Sequence, residues 1–301
     1  MEIQGFHERK IFHPYNKEVT LVNVQIPEVT LNDGLRIPVI GFGTWQIRGA
    51  AGVQAIVSAI DMGYRLIDSA YNYENEGAVG EAIRRSSVPR EKLIITSKLP
   101  GRYHEYDAAI TAIQESLYRA NLDYYDLYLI HWPNPKQNRY VEAWQALIDA
   151  KKWGLIRSIG VSNFLPEHIE RLVKETGVVP SVNQIELHPY FNQAEQRRFH
   201  ERFNIRTQSW SPLYRGGKLF AEETIRTIAE KHGKTPAQVV LRWHYQIGAI
   251  SIPKSQNPDR QFENLNIFDF ALEEADMEAI NALSKPDGRR KGQDPAEYEE
   301  F

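Results

Sequence analysis

The chain has 301 residues and contains no cysteine. This absence excludes disulfide bonds, thiol nucleophiles and zinc sites built from thiolates, and it is compatible with a reducing compartment. Long apolar runs are missing too. The N-terminal stretch MEIQGFHERKIFHPYNK lacks the apolar core of a signal peptide, and no later run approaches the ~18 apolar residues of a membrane span. We therefore expect a cytoplasmic protein that does not enter a membrane.

The sequence also lacks a marked excess of charge of either sign. It has 36 basic and 39 acidic residues, for a net charge of −3, which gives no reason to expect nucleic acid or a charged membrane surface as a partner. Hydrophobic residues make up 42% and charged residues 25%, the composition of an ordinary globular protein. No glycine-rich or serine-rich linker divides the chain. We expect an irregular extension over residues 1–25 and one domain over residues 26–301.

The stretch GYRLIDSAYNYENE, from Gly63 to Glu76, is the most informative part of the chain. An apolar run ends there at Asp68, and Tyr73 follows at the head of a helix that we expect to begin near Glu74. Taken alone, this pattern equally fits a solvated turn with a helix-capping acid. The next two apolar runs, however, end in a lysine and a histidine. Such residues at the carboxyl ends of successive parallel strands would meet at one mouth of a barrel, where barrel enzymes place their catalytic groups.

The pattern of the whole chain agrees with a barrel. Short apolar runs alternate with helical patterns for more than 200 residues; the strand candidates are VIGFGT, YRLIDS, KLIITSK, YDLYLIH, IRSIGVSN, SVNQIELH, IRTQSWS and AISIPKS. This alternation is typical of a closed (β/α)8 TIM barrel in the α/β class. Asp33-Gly34 predicts an N-terminal β-hairpin that could plug the floor, and Thr235-Pro236 and Asn257-Pro258 predict helix starts. The short polar tail from Pro286 to Phe301 could fold back over one face.

Functional side chains stand at all eight predicted strand ends: Gly43, Thr44, Asp68, Lys98, His131, Ser162, Asn163, Gln184, Trp210, Lys254 and Ser255. At this point the chain, from about Val29 to its C-terminus, resembles the aldo-keto reductases. The motifs that carry the resemblance are GFGTW, GYRLIDSAYNYENEGAVGEAI, LIITSKL, DLYLIHWP, IRSIGVSNF, VNQIELHPY, QSWSPL and IPKS with R and EN downstream. The TSKLPGRYH and QSWSPL stretches are most similar to the bacterial 2,5-diketo-D-gluconate reductase-like branch.

The resemblance implies an enzyme that reduces small aldehydes, ketones or keto-sugars to alcohols with NADPH, using Asp68, Tyr73, Lys98 and His131. The carbonyl oxygen needs a proton as hydride reaches the carbon, and a free tyrosine with a pKa of about 10 is a poor acid at neutral pH. Lys98 could stabilise the phenolate, Asp68 could keep the lysine charged, and His131 could hydrogen-bond the substrate oxygen. Two alternatives stay open: a purely structural Asp68–Lys98 ion pair, and a Schiff-base lysine of an aldolase.

The resemblance also implies where NADPH binds. Ser162, Asn163 and Gln184 would hold the nicotinamide carboxamide, and Trp210 would stack on the ring. Further residues of the implied NADPH/NADP+ site are Gly43, Thr44, Ser211 and Leu213, then Lys254, Ser255 and Arg260 around the 2′-phosphate, and Glu263 and Asn264 towards the adenine. No GxGxxG follows a strand, which disfavours a Rossmann-type site. Tyr214 is a departure, because many relatives place glycine after the leucine of QSWSPL.

The remaining aromatic residues and histidines complete the expectations. Trp45 and Trp132 are candidates for walls of the substrate pocket, whereas Trp144, Trp153 and Trp243 are expected to pack inside helical segments. We expect structural roles for Tyr71 and His188. No HExxH-like spacing occurs, so no metal site is expected. A monomer with a shallow, open pocket is predicted, and a regulatory subunit that only binds a nicotinamide nucleotide is the competing hypothesis.

Overall fold

Eight parallel strands form a barrel in the computed structural model, which describes residues 25–286 and 288–301. Nearly all of the predicted extension, residues 1–24, lies outside the described residues. The barrel strands are β3 (Phe42–Gly43), β4 (Leu66–Asp68), β5 (Ile94–Leu99), β6 (Tyr125–Ile130), β7 (Ile156–Ser162), β8 (Val182–Glu186), β9 (Arg206–Trp210) and β10 (Ile250–Ser251). Each pairs in parallel with the next. Hydrogen bonds from Gly41 to Ser251 (2.8 Å) and from Gly43 to Pro253 (2.9 Å) join the first strand to the last. The predicted (β/α)8 barrel is confirmed.

Helices separate the strands and surround the barrel. They are α1 (Gly49–Met62), α2 (Glu76–Arg85), α3 (Tyr106–Ala120), α4 (Tyr140–Lys152), α5 (Pro166–Thr176), α6 (Ala194–Arg202), α7 (Lys218–Ala221), α8 (Glu223–His232), α9 (Pro236–Gln246), α10 (Pro258–Leu265) and α11 (Glu274–Asn281). Both predicted helix starts are confirmed. The Thr235 hydroxyl accepts a hydrogen bond from the Gln238 amide (3.2 Å), and the Asn257 side chain accepts one from the Arg260 amide (3.0 Å). Each bond satisfies an amide that has no partner within its helix.

The predicted hairpin closes the floor of the barrel. It comprises β1 (Glu28–Thr30) and β2 (Arg36–Pro38), and Gly34 in the turn has a φ of 91°, which favours glycine. Leu31 and Ile37 are buried and pack with apolar side chains from the barrel interior: Leu66, Leu127, Leu129, Val182, Ile250 and Ile252. The hairpin therefore fills the end of the barrel opposite to the carboxyl ends of the strands.

Two local predictions need correction. The helix after Tyr73 begins at Glu76 and not near Glu74, because Glu74 has a left-handed φ of 54° that ends a 3-10 turn over Tyr71–Tyr73. Tyr73 thus lies on a short turn ahead of the helix. Trp153 is not a packing residue: it follows the last residue of α4 and is 57% exposed, whereas Trp144 and Trp243 are fully buried as expected.

The tail folds back over the carboxyl ends of the strands, as predicted. The Arg290 amide donates to the Glu186 carboxylate (2.7 Å), and the Tyr298 ring lies 4.5 Å from the ring of Trp132, centroid to centroid. The tail therefore covers the mouth at which the strand-end residues converge. Within residues 25–286 and 288–301, no helix is both long and apolar enough to cross a membrane.

Candidate active site

Lys98 is the centre of the site and is completely buried in β5. Its ammonium donates hydrogen bonds to Asp68 Oδ1 and to the carbonyl of Ser69, each 2.7 Å long. The other carboxylate oxygen, Asp68 Oδ2, accepts a bond from Gln184 (2.8 Å). Burial lowers the pKa of Lys98, and the Asp68 charge opposes that shift. Because the carboxylate is held on both sides, it fixes both the position and the charge of the lysine.

Tyr73 and His131 lie next to this pair. The two rings meet edge to face with centroids 5.9 Å apart, and Lys98 Nζ is 5.1 Å from the Tyr73 ring centroid. The structure thus brings together all four residues predicted to be catalytic. The expected effect on the phenol is not found, however. Burial, followed by the negative charges of Asp68 and Glu300, raises the pKa of Tyr73 well above its ordinary value. Asp68, paired with Lys98 at 2.7 Å, thus acts against any lowering of this pKa by the lysine.

Glu300 is a site residue that sequence reasoning missed. Its Oε1 atom lies 2.8 Å from His131 Nδ1 and accepts a hydrogen bond from the Asn72 amide (2.9 Å). The tail carries several acidic residues that are typical of a solvated end of chain, so no local pattern distinguished this one. Glu300 therefore adds a buried carboxylate to the mouth that holds the catalytic candidates.

The residues expected to hold the nicotinamide form one hydrogen-bonded chain. Ser162 Oγ donates to the Gln184 carbonyl (2.8 Å), and Asn163 Nδ2 donates to Ser162 Oγ and to the His131 carbonyl (3.0 Å each). Asn163 Oδ1 in turn accepts from the Trp210 indole (2.7 Å). Asn163 has a left-handed φ of 63°, a strained conformation of the kind often found at functional sites. The predicted set lies together at the mouth, directly beside the catalytic residues.

A cluster of cations surrounds Trp45. Measured to the indole ring centroid, the charged groups of Arg215, Lys291 and Lys254 lie at 4.5, 5.4 and 5.7 Å. None of them forms an ion pair within the described part of the chain. Burial and the charge of Arg215 lower the pKa of Lys254, and burial and Arg290 lower the pKa of Arg215. Uncompensated cations at this spacing suit an anionic ligand such as a phosphate. Sequence reasoning missed Arg215 and Lys291, which come from an irregular loop and the tail.

The other predicted phosphate and adenine residues lie on or near α10. Arg260 is exposed in its first turn, and the Ser255 hydroxyl accepts a bond from the Asn257 amide (3.1 Å). Glu263 accepts a bond from the Thr235 hydroxyl (2.6 Å), and Asn264 is buried. Arg260 and Lys254 therefore border the open start of a helix, where amide groups favour anions.

The loop after β9 contains Tyr214, which stands where many relatives place glycine, and its contacts show what this tyrosine does. Ser211 has a φ of 50°, and residues 214–217 have positive φ values of 50°, 62°, 72° and 55°. Tyr214 packs edge-on against His188 and Tyr190, at centroid distances of 4.8 and 5.1 Å, while the amide of Gly216 bonds the Leu213 carbonyl (2.7 Å). Tyr214 therefore anchors the loop to the barrel and leaves Arg215 to reach Trp45.

The remaining predicted positions have mixed roles. Gly43 lies close to the last strand, since a Cβ atom there would be 3.1 Å from the Ile252 side chain and 3.2 Å from the Ile252 carbonyl oxygen. Thr44 donates from its hydroxyl to the Asp68 carbonyl (2.9 Å). Trp132 is buried beneath Tyr298, as a pocket wall could be. No group of three or more His, Asp or Glu side chains in the described residues could hold a metal ion.

Comparison with known proteins agrees with this geometry. The model of the Aldo/keto reductase family matches residues 39–285. The 2,5-diketo-D-gluconic acid reductase B of Corynebacterium sp. is 52% identical, over 92% of this chain and 99% of that protein. The methylglyoxal reductase DkgA of Escherichia coli K12 is 45% identical, over 90% and 97% of the two chains. A solved mutant of Gox0644 in complex with NADPH superposes with a TM-score of 0.86 at 46% identity, covering 90% of this chain and 98% of that one.

Proposed function

This chain belongs to the aldo/keto reductase family, and we propose that it reduces small aldehydes, ketones or keto-sugars to alcohols with NADPH, using Tyr73 as the general acid. The relatives include a diketogluconic acid reductase and a methylglyoxal reductase. Both names describe reduction of small polar carbonyl compounds. Activity as a monomer, a cytoplasmic location and the boundary of the single domain stay predictions.

One observation carries the proposal: Lys98, paired with Asp68, lies beside the ring of Tyr73, which in turn faces His131. An ion pair that served only stability would not need a phenol and an imidazole next to it. An aldolase would need a lysine free to attack a carbonyl, but Lys98 Nζ is held between Asp68 and the Ser69 carbonyl. The arrangement suits proton transfer to a substrate oxygen.

NADPH supplies the hydride that reduces the carbonyl carbon. The developing alkoxide is far more basic than a phenolate, so Tyr73 can protonate it even with its raised pKa. That raised pKa also keeps the phenol protonated before the reaction. Lys98 lies close enough to stabilise the phenolate that remains, and His131 can hydrogen-bond the carbonyl oxygen as negative charge develops.

The chain's own residues fit NADPH at both ends of the cofactor. Asn163 and Gln184 present amide groups next to the catalytic residues, and Trp210 is held in place by its bond to Asn163. At the other end, Lys254 and Arg260 border the start of α10. The uncompensated charges around Trp45 would gain from an anionic ligand, because a phosphate would offset the burial and the mutual repulsion that together lower the pKa values of Lys254 and Arg215.

The test is to follow the absorbance of NADPH with a panel of aldehydes, ketones and keto-sugars. Tyr73→Phe should lower turnover about 10²–10⁴-fold, the usual contribution of a general acid. It should leave the affinity for NADPH nearly unchanged, because the phenol acts on the substrate and not on the nucleotide.

Tyr71→Phe is the matched control. Tyr71 lies in the same 3-10 turn, but its hydroxyl bonds Arg119 and does not face the site. Turnover of the Tyr73→Phe enzyme above half that of the wild type would reject Tyr73 as the acid. Binding of NADPH without turnover of any carbonyl would instead favour the regulatory subunit.

A further inference from the structure

We propose that Glu300 sets the charge selectivity of the catalytic pocket: its carboxylate disfavours carbonyl substrates that carry a negative charge near the reacting group. Neutral carbonyl compounds would then be the preferred class. This inference rests on the proposed function and specifies the substrates of the same site. Three features support it: the backbone of the tail is fixed at this residue, the side chain is directed into the site, and no lysine or arginine of the described residues pairs with its charge.

The backbone of Glu300 is fixed by Asn134. The Asn134 side chain donates to the Glu300 carbonyl (2.8 Å) and accepts from the Glu300 amide (3.1 Å). Gly101 leaves room for this contact, because a Cβ atom there would lie 2.5 Å from the Glu300 carbonyl oxygen. Two residues before Glu300, the ring of Tyr298 packs on Trp132. These contacts fix the backbone of Glu300 at the mouth of the barrel.

The side chain of Glu300 points at the catalytic residues. The residue is only 8% exposed. Its Oε1 atom lies 2.8 Å from His131 Nδ1 and 2.9 Å from Asn72 Nδ2. The other oxygen, Oε2, is buried and has no hydrogen-bond partner among the described residues. A carboxylate oxygen without a donor leaves much of its negative charge directed into the site.

The charge of Glu300 is present at neutral pH, and its partners are His131 and Asn72 rather than a lysine or an arginine. Burial would raise the pKa of Glu300, but attraction to His131 and bonds from His131 and Asn72 bring it below its usual value. Within the described residues, no lysine or arginine forms an ion pair with it. The nearby Arg102 donates to Asn72 Oδ1 (2.6 Å) and not to Glu300. Lys98 is paired with Asp68.

The negative charge also reaches the other titratable groups of the site. It adds to the rise of the Tyr73 pKa that burial causes, and it partly opposes the lowering of the Lys98 and His104 pKa values by burial. A substrate whose carbonyl oxygen meets Tyr73 and His131 must therefore lie in the same field. For a substrate anion about 6–8 Å from Glu300, Coulomb's law at an effective dielectric of about 20–40 lowers kcat/KM by roughly sixfold to a hundredfold.

The experiment compares two aldehydes of nearly the same shape. 3-Nitrobenzaldehyde is neutral, whereas 3-carboxybenzaldehyde is an anion at neutral pH. The ratio of their kcat/KM values is measured for the wild type and for Glu300→Gln, which keeps the side-chain shape and an oxygen that can accept from Asn72. The intrinsic reactivities of the aldehydes cancel between the two enzymes. We expect Glu300→Gln to raise kcat/KM for 3-carboxybenzaldehyde, relative to kcat/KM for 3-nitrobenzaldehyde, by about tenfold, equivalent to about 1.4 kcal/mol.

Glu297→Gln is the matched control. Glu297 belongs to the same tail and carries the same charge, but its side chain is exposed, so its removal should leave the ratio unchanged. If Glu300→Gln lowers kcat/KM for both aldehydes equally, the residue is only structural and the selectivity proposal is wrong. If the wild type reduces neither aldehyde nor any member of the carbonyl panel, the proposed function itself fails, and this inference fails with it.

Discussion

Single side chains in this site depend on partners for their charge state. Lys98 is completely buried, yet Asp68 keeps an opposite charge 2.7 Å away. Burial raises the pKa of Tyr73 and the same carboxylate adds to that shift, so that a protonated phenol lies next to the Asp68–Lys98 pair. Removal of either partner would leave a buried charge without compensation, which is strongly destabilising. At the residue scale, position and protonation state are therefore set together.

Arg260 allows a prediction about cofactor choice. NADPH differs from NADH by the 2′-phosphate, and a guanidinium can bind two phosphate oxygens at once. Each charge-assisted hydrogen bond contributes roughly 1.5–3 kcal/mol, and about 1.4 kcal/mol corresponds to tenfold in affinity. Arg260→Ala should therefore weaken NADPH binding at least about tenfold, and further when Lys254 is also replaced. Binding is measured by the quenching of tryptophan fluorescence.

Two comparisons make this test specific. NADH binding should change little in the Arg260→Ala enzyme. Arg226→Ala removes another exposed arginine, on α8, and should leave both affinities unchanged. Equal losses for NADPH and NADH would mean that the phosphate site has been placed wrongly.

At the scale of elements, α2 fixes the turn that carries Tyr73. It begins at Glu76, directly after that turn, and packs against α3. The close approach of these helices depends on Gly80, where an added Cβ atom would lie 1.8 Å from the Ala120 carbonyl oxygen. At Gly77, on the same helix, the nearest atom to such a Cβ would be 3.4 Å away. Helix packing therefore requires glycine at position 80, whereas position 77 has room for a methyl group.

We expect Gly80→Ala to destabilise the protein by about 1–3 kcal/mol, because the helices must move apart to admit the methyl group. Gly77→Ala is the matched control and should be neutral or slightly stabilising, since alanine is favoured over glycine inside helices by about 0.5–1 kcal/mol. Urea unfolding of both variants measures the difference. Equal stabilities would contradict the close helix contact.

At the scale of the whole molecule, three buried histidines link stability to pH. Burial lowers the pKa of His104 to about 4 and the pKa values of His200 and His244 to about 3. The rings of two of them form hydrogen bonds with buried groups. His200 bonds Thr207 and Asn183. His244 bonds Ser209 and the Pro212 carbonyl. All three are therefore neutral in the folded protein at pH 5.

Acid should consequently destabilise the fold well above the range where carboxylates titrate. An unfolded histidine has a pKa of about 6.5, so below that pH the unfolded state binds protons that the folded state does not. The contribution of the three neutral histidines to the free energy of unfolding is fully present above about pH 7. It is lost as the pH drops towards the pKa values of the folded protein. Between pH 7 and pH 5 the three residues together should remove roughly 5 kcal/mol. Urea midpoints measured across this range test the prediction, and a flat profile would contradict neutral burial.

Local sequence patterns determined the barrel and placed the candidate catalytic residues at one of its mouths. Apolar runs of strand length alternate with helical patterns, and the residue types at the ends of these runs are specific enough to place Asp68, Lys98 and His131 at one mouth. The hairpin and two helix starts were also predictable, because Asp-Gly turns and capping residues act over a few positions. Such features depend only on neighbours along the chain.

Tertiary structure alone decided the properties that depend on distant contacts. Glu300 reaches His131 from the far end of the chain, and Arg215 and Lys291 meet at Trp45 from two irregular segments. The rise of the Tyr73 pKa was not predictable from the sequence, since it depends on burial and on the charges of Asp68 and Glu300. Electrostatic interactions act through space, and no spacing along the sequence records which charges the fold will bring together.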